Sequence, residues 1–200
     1  MALIFNDISK RFGEKTLFSH LSLEFEEKGL YSLIGASGSG KTTLLRMIAG
    51  LDNDYSGSIE GGGIENVSIM FQEYRLFPTL TAYENAIIPN GDKNDPSLQS
   101  YAIDLFKTLG FNESEMQLHP DQLSGGMKQR VSFIRAILRD KPILLLDEPT
   151  KELNESVRNE MTQIILSESK KRTVILVSHN ENEHVNLNST SVYLAPQETL

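Results

Sequence analysis

Gly35-Ala36-Ser37-Gly38-Ser39-Gly40-Lys41-Thr42-Thr43 is the stretch around which the rest of the chain is organised. Its spacing is glycine, four residues, glycine, lysine, then serine or threonine, which is the spacing of a phosphate-binding loop. Leu30 to Ile34 before it is a short apolar run that predicts a buried strand, and Leu44 to Ala49 after it predicts a helix. Glycines admit backbone angles that let successive N–H groups converge on one anion, and the helix start adds unpaired donors and a positive dipole end. Lys41 is placed to lie against the outer phosphates and the hydroxyl of Thr42 to ligate Mg²⁺. The stretch predicts binding of a nucleoside triphosphate.

Composition narrows the class. The chain has 200 residues, 39% hydrophobic and 23% charged, as in one ordinary globular domain with room for an inserted subdomain. No apolar run approaches the roughly 20 residues needed to span a bilayer, and residues 1–7 lack the basic flank and apolar core of a secretion signal. Cysteine is absent, so disulfides and thiolate metal sites are excluded. A formal charge of −8 gives nucleic acid little electrostatic purchase. A cytosolic nucleotide-dependent protein is the expected class.

Along the chain, Leu3 to Ile8 and Leu21 to Phe25 predict strands, with a turn over Ser9 to Gly13 between them. Phe12 in that turn is either core or a platform for the base of a bound nucleotide. Val67 to Phe71 predicts another strand, with Gln72 at its end. Residues 73–140 read as mostly helical, including Tyr101 to Leu109 and a helix capped by Ser124 with Met127, Val131, Ile134 and Leu138 on one face. Ser124-Gly125-Gly126 is a second candidate anion site or simply a capped helix.

Ile143-Leu144-Leu145-Leu146-Asp147-Glu148-Pro149 predicts a central parallel strand with two acids at its carboxyl end, where open α/β sheets bind ligands. Asp147 is the candidate Mg²⁺ carboxylate and Glu148 the candidate to polarise an attacking water. A helix opened by Asn154 and a strand from Thr173 to Ser178 follow, and His179 at the strand end either reaches the outer phosphate or is a turn residue. Ser191 to Leu194 predicts a last strand.

In order, the phosphate loop, Gln72, Leu123-Ser124-Gly125-Gly126-Met127-Lys128-Gln129-Arg130, Leu144 to Thr150, and Val177-Ser178-His179 resemble the ATP-binding cassette of ABC transporters over nearly the whole chain. The Leu-Ser-Gly-Gly segment is the specific part. The resemblance implies an α/β fold: a phosphate-loop, RecA-like parallel-sheet core with an N-terminal antiparallel β subdomain and an inserted α-helical subdomain. It implies one domain over residues 1–200, with 1–72 and 141–200 as the nucleotide-binding core and 73–140 as the helical part. By the same resemblance Phe12 matches the adenine-stacking aromatic, and Gly35, Ser37, Gly38, Ser39, Gly40, Lys41, Thr42 and Thr43 match the Walker A loop. Gln72 matches the glutamine that senses γ-phosphate and Mg²⁺, Glu148 the catalytic glutamate and His179 the switch histidine. Ser124, Gly125 and Gly126 match the signature segment that closes over ATP held by a second subunit.

The cofactors so implied are ATP and Mg²⁺, with Thr42, Gln72 and Asp147 at the metal. The implied partners are a separate transmembrane permease, a second ATPase subunit and an extracytoplasmic solute-binding protein, with no nucleic acid, at the inner face of the cell membrane. The segment Phe71 to Asn85 is most similar to the nitrate, sulfonate and taurine group of importers. Met127 replaces the usual signature glutamine, Asn154 the usual aspartate, Lys151-Glu152 the usual small residues and Asn180 an aspartate after the switch histidine. The glycine-rich link over residues 57–63 is short, and a minimal cassette without a C-terminal regulatory domain is expected. A non-transport ABC ATPase and a small-molecule kinase are the alternative readings.

Overall fold

The run Ile143-Leu144-Leu145-Leu146 forms the middle of a sheet because both of its faces are covered, the situation in which a strand can be continuously apolar. In a computed structural model, which describes residues 2–88, 94–151, 153–178 and 187–194, this strand is Ile143–Asp147, and Thr173–Val177 beside it is equally buried. In chain order the strands are β1 (Leu3–Phe12), β2 (Lys15–Phe25), β3 (Gly29–Ile34), β4 (Ser56–Glu60), β5 (Val67–Met70), β6 (Ile143–Asp147), β7 (Thr173–Val177) and β8 (Thr190–Tyr193). The helices are α1 (Lys41–Ile48), α2 (Ala82–Ile87), α3 (Pro96–Thr108), α4 (Glu113–Met116), α5 (Gly125–Leu138) and α6 (Glu155–Ser169). Two compact units result: Met1–Ile69, Lys141–Asp147 and Leu166–Leu200 form the first, and Met70–Asp140 with Glu148–Ile165 the second. The second unit thus contains the segment expected to be helical and also takes Glu148–Ile165.

In the first unit a five-stranded sheet has the order β5-β6-β7-β3-β8, with β6, β7, β3 and β8 mutually parallel. A second, three-stranded sheet has the antiparallel order β2-β1-β4. One core joins them: Phe5, Ile8 and Phe25 from the antiparallel sheet pack with Leu33, Leu145 and Ile175 from the parallel one and with Leu44, Leu45 and Ile48 of α1. Burying one such aliphatic side chain is worth about 1.5–3 kcal/mol, so α1 is anchored by its apolar face well beyond what eight residues gain from helix propensity.

Two expectations fail here. The turn expected over Ser9 to Gly13 is strand as far as Phe12, and only Gly13 and Glu14 turn. Strand continues because Lys10 finds partners 42 and 44 residues away, with Nζ donating to Asp52 Oδ1 at 2.8 Å and to the Asp54 carbonyl at 2.6 Å. Phe12 is accordingly not core; it is 53% exposed. The expected glycine-rich link over 57–63 contains β4, an exposed edge strand that pairs Ile59 with Phe5.

The second unit is helical. Its helix starts carry side-chain caps: Thr81 and Glu84 form a reciprocal capping box on α2, Asn112 and Glu115 do so on α4, and Asp95 caps α3. Phe106 of α3 meets Phe111 edge-on at 5.1 Å, and the Arg130 guanidinium lies 4.6 Å from the Phe111 ring centre. Buried Asn85 takes the Phe77 N–H on its carbonyl and donates to Phe77, Leu80 and Thr81, so one side chain shapes the loop of residues 77–81.

Candidate nucleotide-binding site

Register brings the candidate residues of the first unit together. Leu33 of β3 and Asp147 of β6 both align with Val177 of β7, so the phosphate loop and Asp147 leave the sheet at the same carboxyl edge. That edge is where parallel sheets take ligands.

The loop itself is shaped by glycine. Gly38 and Gly40 have φ of 78° and 96°, a region that L side chains rarely adopt. A Cβ on Gly40 would stand 2.6 Å from Phe18 Cζ, and one on Gly35 would stand 2.5 Å from Ser39 Oγ. Lys41 lies back along the loop, with its ammonium donating to the carbonyls of Gly35 at 2.6 Å and Ala36 at 3.0 Å. Ser39 Oγ is buried without a hydrogen-bond partner among the described residues, although a buried hydroxyl normally has one. A phosphate oxygen would satisfy it, so the cradle fits a polyphosphate. Ser37 is exposed on the loop, and Thr43 is half-buried in the first turn of α1.

Thr42, the second residue of α1, donates from Oγ1 to Asp147 Oδ2 at 3.0 Å. Asp147 is buried. A hydroxyl and a carboxylate converging on one point are the hard oxygen donors that Mg²⁺ prefers, and that ion commonly takes one or two protein ligands and completes its shell with phosphate and water. These two residues fit it.

Phe12 is the last residue of β1. Lys10 Nζ sits 4.9 Å from the ring centre on one side, and the ring is otherwise more than half exposed. Burial would depress the Lys10 ammonium, but hydrogen bonds and charge from Asp52 and Asp54 outweigh it and hold it above its ordinary value. The result is an aromatic platform with a fixed cation beneath it.

The remaining candidates lie in the second unit. Ser124 Oγ accepts from Met127 N at 3.2 Å and so caps α5, with Gly125 exposed beside it. There is little room at either glycine: a Cβ would meet Tyr74 Oη at 3.3 Å from Gly125 and Leu153 Cδ2 at 3.3 Å from Gly126. Gln72 is exposed, on a loop that α5 holds from behind. Ser132 donates to the Tyr74 carbonyl at 2.6 Å, and Arg135 donates to the carbonyls of Tyr74 and Arg75 at 2.9 and 2.8 Å. Burial, reinforced by the Arg75 charge, lowers the pKa of Arg135. Gln129 Nε2 donates to the carbonyls of Glu148 and Pro149, both at 2.9 Å, and fixes the chain at Glu148, whose φ is +52°. Asn154 accepts from Val157 N at 3.0 Å, so it keeps the capping role of the aspartate it replaces.

Gln129, Ser132 and Arg135 were not singled out from sequence. Each acts on a backbone carbonyl 19 to 61 residues away, a contact with no local signal beyond polar residues on a buried helix face. His179 and Asn180 lie outside the described residues.

A parallel sheet with a phosphate loop after β3 and a carboxylate at the end of β6 defines a phosphate-loop NTPase. Comparison with known proteins narrows this. The family described as ABC transporter matches residues 18–151. The aliphatic sulfonates import ATP-binding protein SsuB of Bacillus cereus (strain ZK / E33L) is 37% identical over 98% of this chain and 82% of its own. The same-named protein of Bacillus subtilis (strain 168) is 38% identical over 87% of this chain and 71% of its own. The spermidine/putrescine import ATP-binding protein PotA of Bacteroides fragilis is 36% identical over 95% of this chain and 44% of its own. Among solved structures, a dimeric post-hydrolysis state of the ATP-binding cassette MJ0796 bound to ADP and Pi matches with a TM-score of 0.84 and 26% identity, over 98% of this chain and 97% of that one. The chain belongs to the ABC transporter family, and it binds ATP. Its similarity to sulfonate import proteins agrees with the resemblance seen over residues 71–85.

Proposed function

We propose that this chain is the ATP-hydrolysing subunit of a sulfonate-type importer, working as a dimer around two ATP–Mg²⁺ and driving a separate permease. The observation that carries the reading is the ordered motif set, present in a chain 37% identical across 98% of its length to an import ATP-binding protein. The dimeric form of the neighbouring cassette supports the second subunit. Among the described residues no helix is long and apolar enough to cross a membrane. The permease is a separate polypeptide in this reading, and the chain works at the membrane's inner face. An extracytoplasmic solute-binding protein completes such an importer.

The chain is one ATPase domain, residues 1–72 and 141–200 forming the nucleotide-binding core and 73–140 the helical part, of which the segment around Tyr74 to Thr81 faces the permease. Phe12 stacks on the adenine, while residues Gly35 to Thr43 hold the phosphates, with Lys41 against the outer two. Thr42, Asp147 and Gln72 would hold Mg²⁺, which would supply charge neutralisation for the outer phosphates. Glu148 accepts a hydrogen bond from the attacking water. The water oxygen bonds to the γ-phosphorus, the bridging bond breaks toward ADP, and the water's proton passes toward the Glu148 carboxylate. His179 supports the outer phosphate, and Ser124, Gly125 and Gly126 close over the nucleotide of the partner copy.

Affinity capture from native membranes tests the reading. Recovery of an integral membrane protein, together with Mg²⁺-dependent phosphate release, is expected. Recovery of ribosomes or DNA would contradict the transport role, and phosphate appearing on a small acceptor instead of in water would establish a kinase.

A further inference from the structure

One charged side chain sits directly on the proposed catalytic carboxylate. Glu148 Oε2 lies 3.1 Å from Lys151 Nζ, with the glutamate side chain 9% exposed and the lysine 49%. A carboxylate removed this far from water needs compensating charge or hydrogen bonds. The two residues are held at this distance by their backbone. Glu148 adopts a left-handed φ of +52°, its carbonyl receives Gln129 Nε2, and the Lys151 N–H reaches the same carbonyl at 3.4 Å. A tight turn therefore fixes the Glu148 main chain through Gln129 and brings the lysine ammonium onto its carboxylate.

We infer that Lys151 is a positioning residue for ATP hydrolysis, its ammonium fixing the Glu148 carboxylate in the rotamer that accepts the water's hydrogen bond. This rests on the reading of Glu148 given above. Lys151 acts on the carboxylate and not on the nucleotide, so it contributes to turnover and not to ATP affinity. Holding a general base within hydrogen-bonding reach of its proton is the condition for its contribution to rate.

Steady-state phosphate release over a range of ATP concentrations tests this with Lys151→Ala, Lys151→Arg, Glu148→Gln and the double variant Glu148→Gln/Lys151→Ala, each checked for an unchanged thermal transition. Lys151→Ala is expected to lower kcat about tenfold with KM for ATP within about twofold of the unmodified chain, and Lys151→Arg to restore kcat to within about threefold. Lys151→Ala should cause no further loss in the Glu148→Gln background. An unchanged or raised kcat in Lys151→Ala, a loss expressed in KM, an arginine no better than alanine, or a further loss in the double variant would each overturn the proposal. The two readings fail separately. Glu148→Gln turning over at the unmodified rate removes the role of Glu148 itself, whereas an inactive Glu148→Gln beside a fully active Lys151→Ala removes only that of Lys151.

Discussion

Two helices of this chain begin at a glycine-rich corner, and they treat the exposed end of the helix in opposite ways. At α1 the preceding residue is Gly40, which has no side chain to cap with, and buried Ser39 Oγ beside it has no partner among the described residues. At α5 the preceding residue is Ser124, whose hydroxyl is already spent on Met127 N, and the corner is exposed. A helix start that leaves its donors and a buried hydroxyl unmet is built to receive an anion. One whose serine already caps it has one fewer donor to offer. The difference fits the proposed roles, in which the first corner is the primary phosphate site and the second meets a nucleotide held by another copy.

The two corners should separate most widely when the cation of the first is removed. Lys41→Ala deletes the charge aimed at the phosphates and is expected to weaken ATP binding at least about a hundredfold, since charge-assisted hydrogen bonds are worth about 1.5–3 kcal/mol each. Titration calorimetry measures it. Ser124→Arg should be the mirror image. ATP affinity stays within about threefold while turnover falls below about a tenth, because a bulky cation then occupies the corner meant for the partner's nucleotide. Isolated monomer hydrolysing at the unmodified rate after this change would show that the second corner plays no part.

Gly40→Ala tests the geometry of the first corner. Its φ of 96° and the approach to Phe18 predict a loss of about 2–4 kcal/mol from the left-handed backbone and the overpacking together, seen as a thermal midpoint about 5–10 °C lower. Phe18→Leu in the same background should recover part of that loss. Smallest of all, Ser124→Ala removes one cap, costing about 1 kcal/mol and about 2–4 °C, while ATP binding to the single chain is unaffected.

The first corner and the strands around it were legible in sequence because their signals are local. Glycine spacing, an apolar run before it and helical periodicity after it all lie within twenty residues. The Ser124 cap was legible for the same reason. The features that escaped are non-local or weakly patterned. β4 has one inward apolar residue, Ile59, and four exposed ones, so it offers no alternation to read. Sequence does not decide between core and platform for Phe12, because the contacts that place it on an exposed strand end are those of Lys10 with the segment after α1. Lys151 stands only three residues from Glu148, yet their pairing depends on a left-handed backbone at a non-glycine residue, which sequence does not announce.

In the proposed dimer, the Gly35–Thr42 corner of one copy and the Ser124–Gly126 corner of another enclose the same nucleotide. Analytical ultracentrifugation of the Glu148→Gln chain with and without ATP and Mg²⁺ tests it most directly. A monomer without nucleotide, a dimer with ATP, and loss of that dimer when either Lys41→Ala or Ser124→Arg is added are expected. A chain that stays monomeric at saturating ATP, or a dimer that survives Ser124→Arg unchanged, would contradict it.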